Sequence, residues 1–74
     1  MQLSIVIPLF NEQESLLELN KTILEIVLSM KIEFEIIYVD DGSTDNSWDI
    51  IKNLSKNSSN LIGIKFLRNF GKSQ

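Results

Sequence analysis

Two adjacent carboxylates, Asp40 and Asp41, end the apolar run Ile36-Ile37-Tyr38-Val39 and are followed by Gly42, Ser43, Thr44 and Asp45. Carboxylates in such a place accept hydrogen bonds from a ribose hydroxyl or a base N–H, or hold a hard cation. An apolar run that stops at acids and a glycine reads as a buried parallel strand opening at its carboxyl end into a tight turn. In open α/β sheets, ligands sit outside that end of the strands. A turn with a helix cap would by itself explain Gly42 and Ser43. It would not explain Asp40, because a carboxylate directly after Val39 is costly to bury without a partner. The stretch Asp40-Asp41-Gly42-Ser43 therefore predicts a nucleotide site.

Pro8-Leu9-Phe10-Asn11-Glu12 supports the same site from a second direction. Taken alone, Pro8 would end a strand, Asn11 would cap a helix and Phe10 would staple the loop. In a parallel sheet, however, the carboxyl ends of strands one and two share a rim, so Phe10 can stack a base that Asp41 hydrogen-bonds. Arg68 suits a phosphate, being permanently charged and bidentate, and equally suits a surface ion pair. The familiar phosphate loops are missing. The first glycine is Gly42, so neither a Gly-x-Gly-x-x-Gly turn nor a Gly-x-x-x-x-Gly-Lys-Ser/Thr loop follows strand one.

The elements that position these residues follow from the apolar pattern. Leu3 to Ile7 reads as a short buried strand closed by Pro8. From about Glu12 to Met30 the spacing is helical, with Leu16, Leu19, Ile23, Ile26 and Met30 on one stripe. Asn11 is its expected N-cap, with Glu14 completing a capping box. Phe34 to Val39 reads as a second strand buried on both faces. Ser43 or Thr44 would cap a second helix with Asp45 in its first turn, and Trp48, Ile51 and Leu54 would mark its inner face. Trp48, Met30 and the leucines are assigned to packing. Leu61 to Leu67 is the third strand. This β-α-β-α-β order predicts a parallel sheet with right-handed crossovers. One edge, at strand one, would be left bare and apolar.

Composition narrows the chemistry. The chain has 74 residues, a net charge of −3, no cysteine and no histidine. Disulfides, thiolate chemistry and the commonest general base are excluded. No basic stripe suits a nucleic acid. There is no signal-peptide pattern and no run of the roughly 18 apolar residues that span a bilayer, so a cytoplasmic chain is expected. One small domain at most is expected, with a core that is marginal for its length.

The three segments Ser4 to Glu12, Val39 to Asp45 and Leu67-Arg68-Asn69-Phe70-Gly71-Lys72 closely resemble the amino-terminal part of family 2 glycosyltransferases. The nearest likeness is to polyprenyl-phosphate hexose synthases, of the dolichol-phosphate mannose synthase and bactoprenol glucosyltransferase types. The resemblance covers essentially the whole chain. It implies a three-layer α/β fold whose β-α-β-α-β sheet is the first half of a Rossmann-like GT-A unit. It also implies inverting transfer of a hexose from a UDP- or GDP-linked sugar to a polyprenyl phosphate, at the cytoplasmic face of a membrane. By the same resemblance, Pro8, Phe10 and Glu12 line the base pocket, Asp41 contacts base or ribose, Asp40 shapes the rim, and Arg68 lies near the nucleotide end. The family's Asp-x-Asp metal motif, catalytic base and acceptor site have no counterpart here, since Asp40 and Asp41 are adjacent and Asp45 and Asp49 fall on the second helix. Residues 1–74 are thus expected to be a nucleotide-binding half-domain. A magnesium or manganese ion is expected for the whole enzyme and not for this part, which should turn over nothing alone. The alternative is a non-catalytic half-domain that self-associates through its bare edge strand. A receiver-like module is disfavoured, because strand three ends in Leu67-Arg68-Asn69 and not in an acceptor aspartate.

Overall fold

The computed structural model describes residues 2–66. They form β1 (Leu3–Leu9), α1 (Leu16–Met30), β2 (Phe34–Asp40), α2 (Ser47–Asn57) and β3 (Leu61–Lys65). The strands make one parallel sheet in the order β1-β2-β3, with Leu3 opposite Phe34, Leu9 opposite Asp40 and Lys65 opposite Asp40 on the other side. This is the parallel β-α-β-α-β sheet of a three-layer α/β fold, half of a Rossmann-like GT-A unit.

Successive right-handed crossovers that step in one direction lay both helices on the same face. That face carries Leu3, Ile5, Ile7 and Leu9 of β1, Phe34, Ile36, Tyr38 and Asp40 of β2, and Leu61 and Gly63 of β3. Leu16 and Val27 of α1 and Ile51 of α2 close over it, with Trp48, Ile50 and Leu54 packed alongside. Gly63 is required by this packing: a Cβ there would lie 2.5 Å from Cγ2 of Ile51 and 3.2 Å from the Trp48 ring. Within the core the Tyr38 hydroxyl donates to Asn20 Oδ1 at 2.7 Å. Burial pushes the Tyr38 pKa up to about 12.

The opposite sheet face is open. Val6, Ile62 and Ile64 are exposed there, and Glu35, Ile37 and Val39 are only half-buried. The expectation that β2 is buried on both faces is thereby corrected for the described residues: both crossovers cover the same side. Met30 is likewise not core but half-exposed (50%), together with Leu19 and Ile26. At 100° per residue, these three lie on one flank of α1, to the side of its buried stripe.

Pro8 does not end β1, which runs on to Leu9. The N–H of Leu3 donates to Glu33 O and the carbonyl of Leu9 accepts from the Asp41 N–H, so odd-numbered residues turn their backbone groups toward β2. Even-numbered residues turn theirs to the open edge, where the missing N–H of Pro8 costs no ladder bond. The third strand ends at Lys65; Leu67, expected within it, lies outside the described residues.

Candidate nucleotide site

The carboxyl rim of the sheet is built by two connections, residues 10–15 after β1 and residues 41–46 after β2. Because Leu9 and Asp40 are paired, Phe10 and Asp41 leave neighbouring strands side by side. Both are exposed, Phe10 by 43%. An aromatic ring beside a carboxylate at this rim can stack a planar base and accept its N–H or a ribose hydroxyl.

Asp40, one residue earlier, is fully buried. Its Oδ1 accepts the Ser43 N–H at 2.7 Å, closing a turn in which Gly42 adopts φ 87°, a conformation that L side chains rarely take. Among the described residues Oδ2 has no hydrogen-bond partner. In this structure Asp40 closes the turn that carries Asp41 and Gly42.

The two connections satisfy each other's backbone donors. From the second, the Thr44 N–H (2.8 Å) and the Asp45 N–H (3.2 Å) donate to Asn11 Oδ1, and the Asn46 N–H donates to Gln13 Oε1 at 2.7 Å. From the first, the Asn11 N–H donates to Ser43 Oγ and the Glu12 N–H to Ser47 Oγ, both at 2.8 Å, while the Gln13 N–H reaches Asp45 Oδ2 at 3.2 Å. Asp45 Oδ1 accepts the Ser47 N–H at 2.9 Å. The Asp45 carboxyl lies below the usual range: its desolvation, which acts to raise the pKa, is outweighed by hydrogen bonds from Ser47 and the Gln13 N–H. Every backbone N–H from Ser43 to Ser47 is therefore taken by a side chain. The turn leading into α2 thus commits its N–H groups from within, while the helix itself carries no side-chain cap hydrogen bond.

Two capping expectations change as a result. Asn11 does not cap α1. It sits at φ 52° and turns its side chain to the other loop, while α1 begins at Leu16 after a turn in which Glu12 O accepts the Ser15 and Leu16 N–H groups. Neither Ser43 nor Thr44 caps α2. Asn46 holds the cap position without a side-chain bond, and Asp45 precedes the first turn. A local cap is a short-range choice, and here contacts between loops more than thirty residues apart displace it.

Of the other expected residues, Pro8 lies in the exposed edge strand, and Glu12 is exposed with Oε1 accepting the Ser15 hydroxyl at 2.9 Å. Arg68 lies outside the described residues. Asn11, Gln13, Asp45 and Ser47, which build the rim, were not expected there. The signal for them is a polar run of Asn, Gln, Asp and Ser longer than two caps require. A hollow of about 380 Å³ lined by Asn11, Glu12, Gln13, Glu14, Ser15 and Asp45 borders this rim on the α1 side. Among the described residues no group of three or more acidic, histidine or cysteine side chains could hold a metal ion. No helix of the described residues is long and apolar enough to cross a membrane.

The family described as Glycosyl transferase family 2 matches residues 4–74. An undecaprenyl-phosphate 4-deoxy-4-formamido-L-arabinose transferase of Pseudomonas fluorescens is 44% identical over 69 residues, 92% of this chain and 20% of that protein. A prophage bactoprenol glucosyl transferase homolog of Escherichia coli is 38% identical over 72 residues, 97% of this chain and 24% of that protein. The arabinose transferase of Edwardsiella ictaluri is 41% identical over 69 residues, covering 92% of this chain and 21% of its own length. The chain spans about a fifth to a quarter of the length of these relatives.

Proposed function

The chain belongs to glycosyl transferase family 2, and we propose that it is the nucleotide-binding half of an inverting enzyme that moves a hexose from a UDP- or GDP-linked sugar to a polyprenyl phosphate. The observation that carries this reading is the pairing of exposed Phe10 and Asp41 at the carboxyl rim, on two loops locked to each other. Phe10 stacks the base and Asp41 accepts from base or ribose. Pro8 and Glu12 border the pocket, and Asp40, Gly42 and Ser43 form the turn beneath it. Arg68 approaches the diphosphate. The relatives are named for bactoprenol and undecaprenyl phosphate, which supports a polyprenyl-phosphate acceptor and work at the cytoplasmic face of a membrane. The general base and the cation's ligands are supplied by other parts of the enzyme, so these 74 residues alone transfer no sugar.

Titrating the isotopically labelled chain with UDP and with GDP, in magnesium buffer, tests this. Amide shifts confined to Phe10, Asp41, Gly42 and their neighbours are expected. A spectrum that is dispersed yet unmoved by millimolar amounts of either nucleotide would overturn it.

A second reading has its own observation: β1 is an edge strand of seven residues, with the outward backbone groups of Ser4 and Val6 unclaimed by β2. A half-domain that self-associates would pair these edges, and sedimentation would show a dimer dissociating on dilution. A monomer across the accessible concentration range would discard it.

A further inference from the structure

We propose that Asn11 is a positioning residue that fixes the acid loop at one distance from Phe10, its side-chain carbonyl holding Thr44 and Asp45 while its own N–H holds Ser43. The inference rests on the nucleotide reading given above and adds to it the device that sets the spacing of the base contacts. Asn11 is one of two non-glycine residues with positive φ among those described, the other being Lys31 at the end of α1. Asparagine and aspartate enter that region more readily than other side chains. The left-handed turn directs Oδ1 across to the second loop, where one oxygen accepts the Thr44 N–H, the Asp45 N–H and, at 3.4 Å, the Thr44 hydroxyl.

The lock extends on both sides of the candidate contacts. Asn11 directly follows Phe10, so its backbone sets where the ring leaves the sheet. Ser43, which accepts from the Asn11 N–H, donates its own N–H to Asp40. Asp41 and Gly42 are thus held between two anchored positions, Asp40 behind and Ser43 ahead. Misplacement of a binding group by a fraction of an ångström is costly where contacts are directional. A single residue tied to three loop residues, two through its side chain and one through its N–H, restrains that displacement without touching a ligand.

The test separates the backbone conformation from the acceptor. Asn11→Gly keeps the left-handed turn and removes Oδ1; Asn11→Asp keeps an acceptor oxygen and tolerates the same φ. In Asn11→Gly, hydrogen exchange at Thr44 and Asp45 should accelerate by roughly tenfold or more, as expected for loss of about one net hydrogen bond. Exchange at the core amides of Ile36 and Tyr38 should stay unchanged. The UDP or GDP dissociation constant should rise by a similar factor, roughly tenfold. Asn11→Asp should restore both quantities to within about threefold of the parent chain, a difference of about half the free energy of the tenfold loss. Unchanged loop exchange in Asn11→Gly, or an Asn11→Asp variant as impaired as the glycine one, would overturn the proposal. The exchange measurement needs no nucleotide. If the parent chain binds neither UDP nor GDP, the function reading fails while the exchange result still decides the role of Asn11.

Discussion

Replacing Asp40 by asparagine should make the folded chain more stable. Asp40 is fully buried, with one carboxylate oxygen accepting the Ser43 N–H and the other without a hydrogen-bond partner among the described residues. An unmet buried charged acceptor costs on the order of 1–3 kcal/mol or more, whereas an unmet neutral amide costs less. Asparagine keeps the oxygen that holds Ser43 and removes the charge, with nearly the same volume. The expected gain is about 1 kcal/mol, which for a chain of this size raises the melting temperature by roughly 4–8 °C. Asp40→Ala removes the charge but also the acceptor for Ser43, so it should fall below the asparagine variant by about 1 kcal/mol, the net worth of one hydrogen bond.

Thermal unfolding followed by circular dichroism at neutral pH, with the parent, Asp40→Asn and Asp40→Ala chains side by side, reads this order directly. An asparagine variant less stable than the parent by more than about 1 kcal/mol would refute the reasoning, since it would mean that the second oxygen has a favourable charged partner. The comparison also bears on the site. If Asp40 acts only by shaping the Gly42 turn, the asparagine variant binds nucleotide as the parent does. If its charge attracts a donor to the rim, the variant gains stability and loses affinity.

Two further perturbations probe the scaffold beneath the rim. Gly63→Ala would bring a methyl group to 2.5 Å from Ile51 Cγ2, a buried and β-branched neighbour with little freedom to move. It should cost about 1–3 kcal/mol in urea unfolding, and a neutral result would show that α2 is not seated on β3 as described. The raised Tyr38 pKa makes stability depend on alkaline pH: the folded state holds the proton more tightly, so the contribution is complete below pH 10 and is lost as pH rises toward 12. The pKa displacement from 10 to about 12 corresponds to about 3 kcal/mol. The stability difference between parent and Tyr38→Phe should shrink by an amount of that order over this window, and a difference independent of pH would contradict it.

The architecture was legible in the sequence because it depends on patterns that repeat along each element. The β-branched runs gave the three strands, and of the expected α1 stripe Leu16 and Ile23 pack at the core while Leu19, Ile26 and Met30 lie on its exposed flank. The depth of burial was less legible. Runs such as Phe34 to Val39 look alike whether one or both faces are covered, and coverage depends on the direction in which crossovers step. Pro8 misled for a similar reason: a proline's missing N–H matters only on the side where a neighbouring strand lies, which the sequence around it does not specify. The site divided in the same way. Asp40-Asp41-Gly42 announced itself through a charge at the end of an apolar run, a local signal. Asn11, Gln13, Asp45 and Ser47 did not, because each is also an ordinary cap or turn residue and their partners are more than thirty positions away.

Those distant partners also explain why the chain carries no glycine-rich phosphate loop. A loop that binds phosphate through its backbone must leave several N–H groups unpaired in the absence of ligand and needs glycine to aim them. Here the N–H groups from Ser43 to Ser47 are committed to Asp40, Asn11, Gln13 and Asp45, and those of Asn11, Glu12 and Gln13 to Ser43, Ser47 and Asp45. A rim closed in this way gains rigidity for its aromatic and acidic contacts and commits the N–H groups of residues 11–13 and 43–47 to itself. Binding at such a rim should therefore discriminate between bases more than between mono- and diphosphates, because the groups presented here face the nucleoside. Comparing uridine, UMP and UDP in the amide titration would show it. With Arg68→Ala in the chain, similar affinities across the three are expected, and a gain of roughly a hundredfold from uridine to UDP, or about 3 kcal/mol, would mean that the described loops bind phosphate after all.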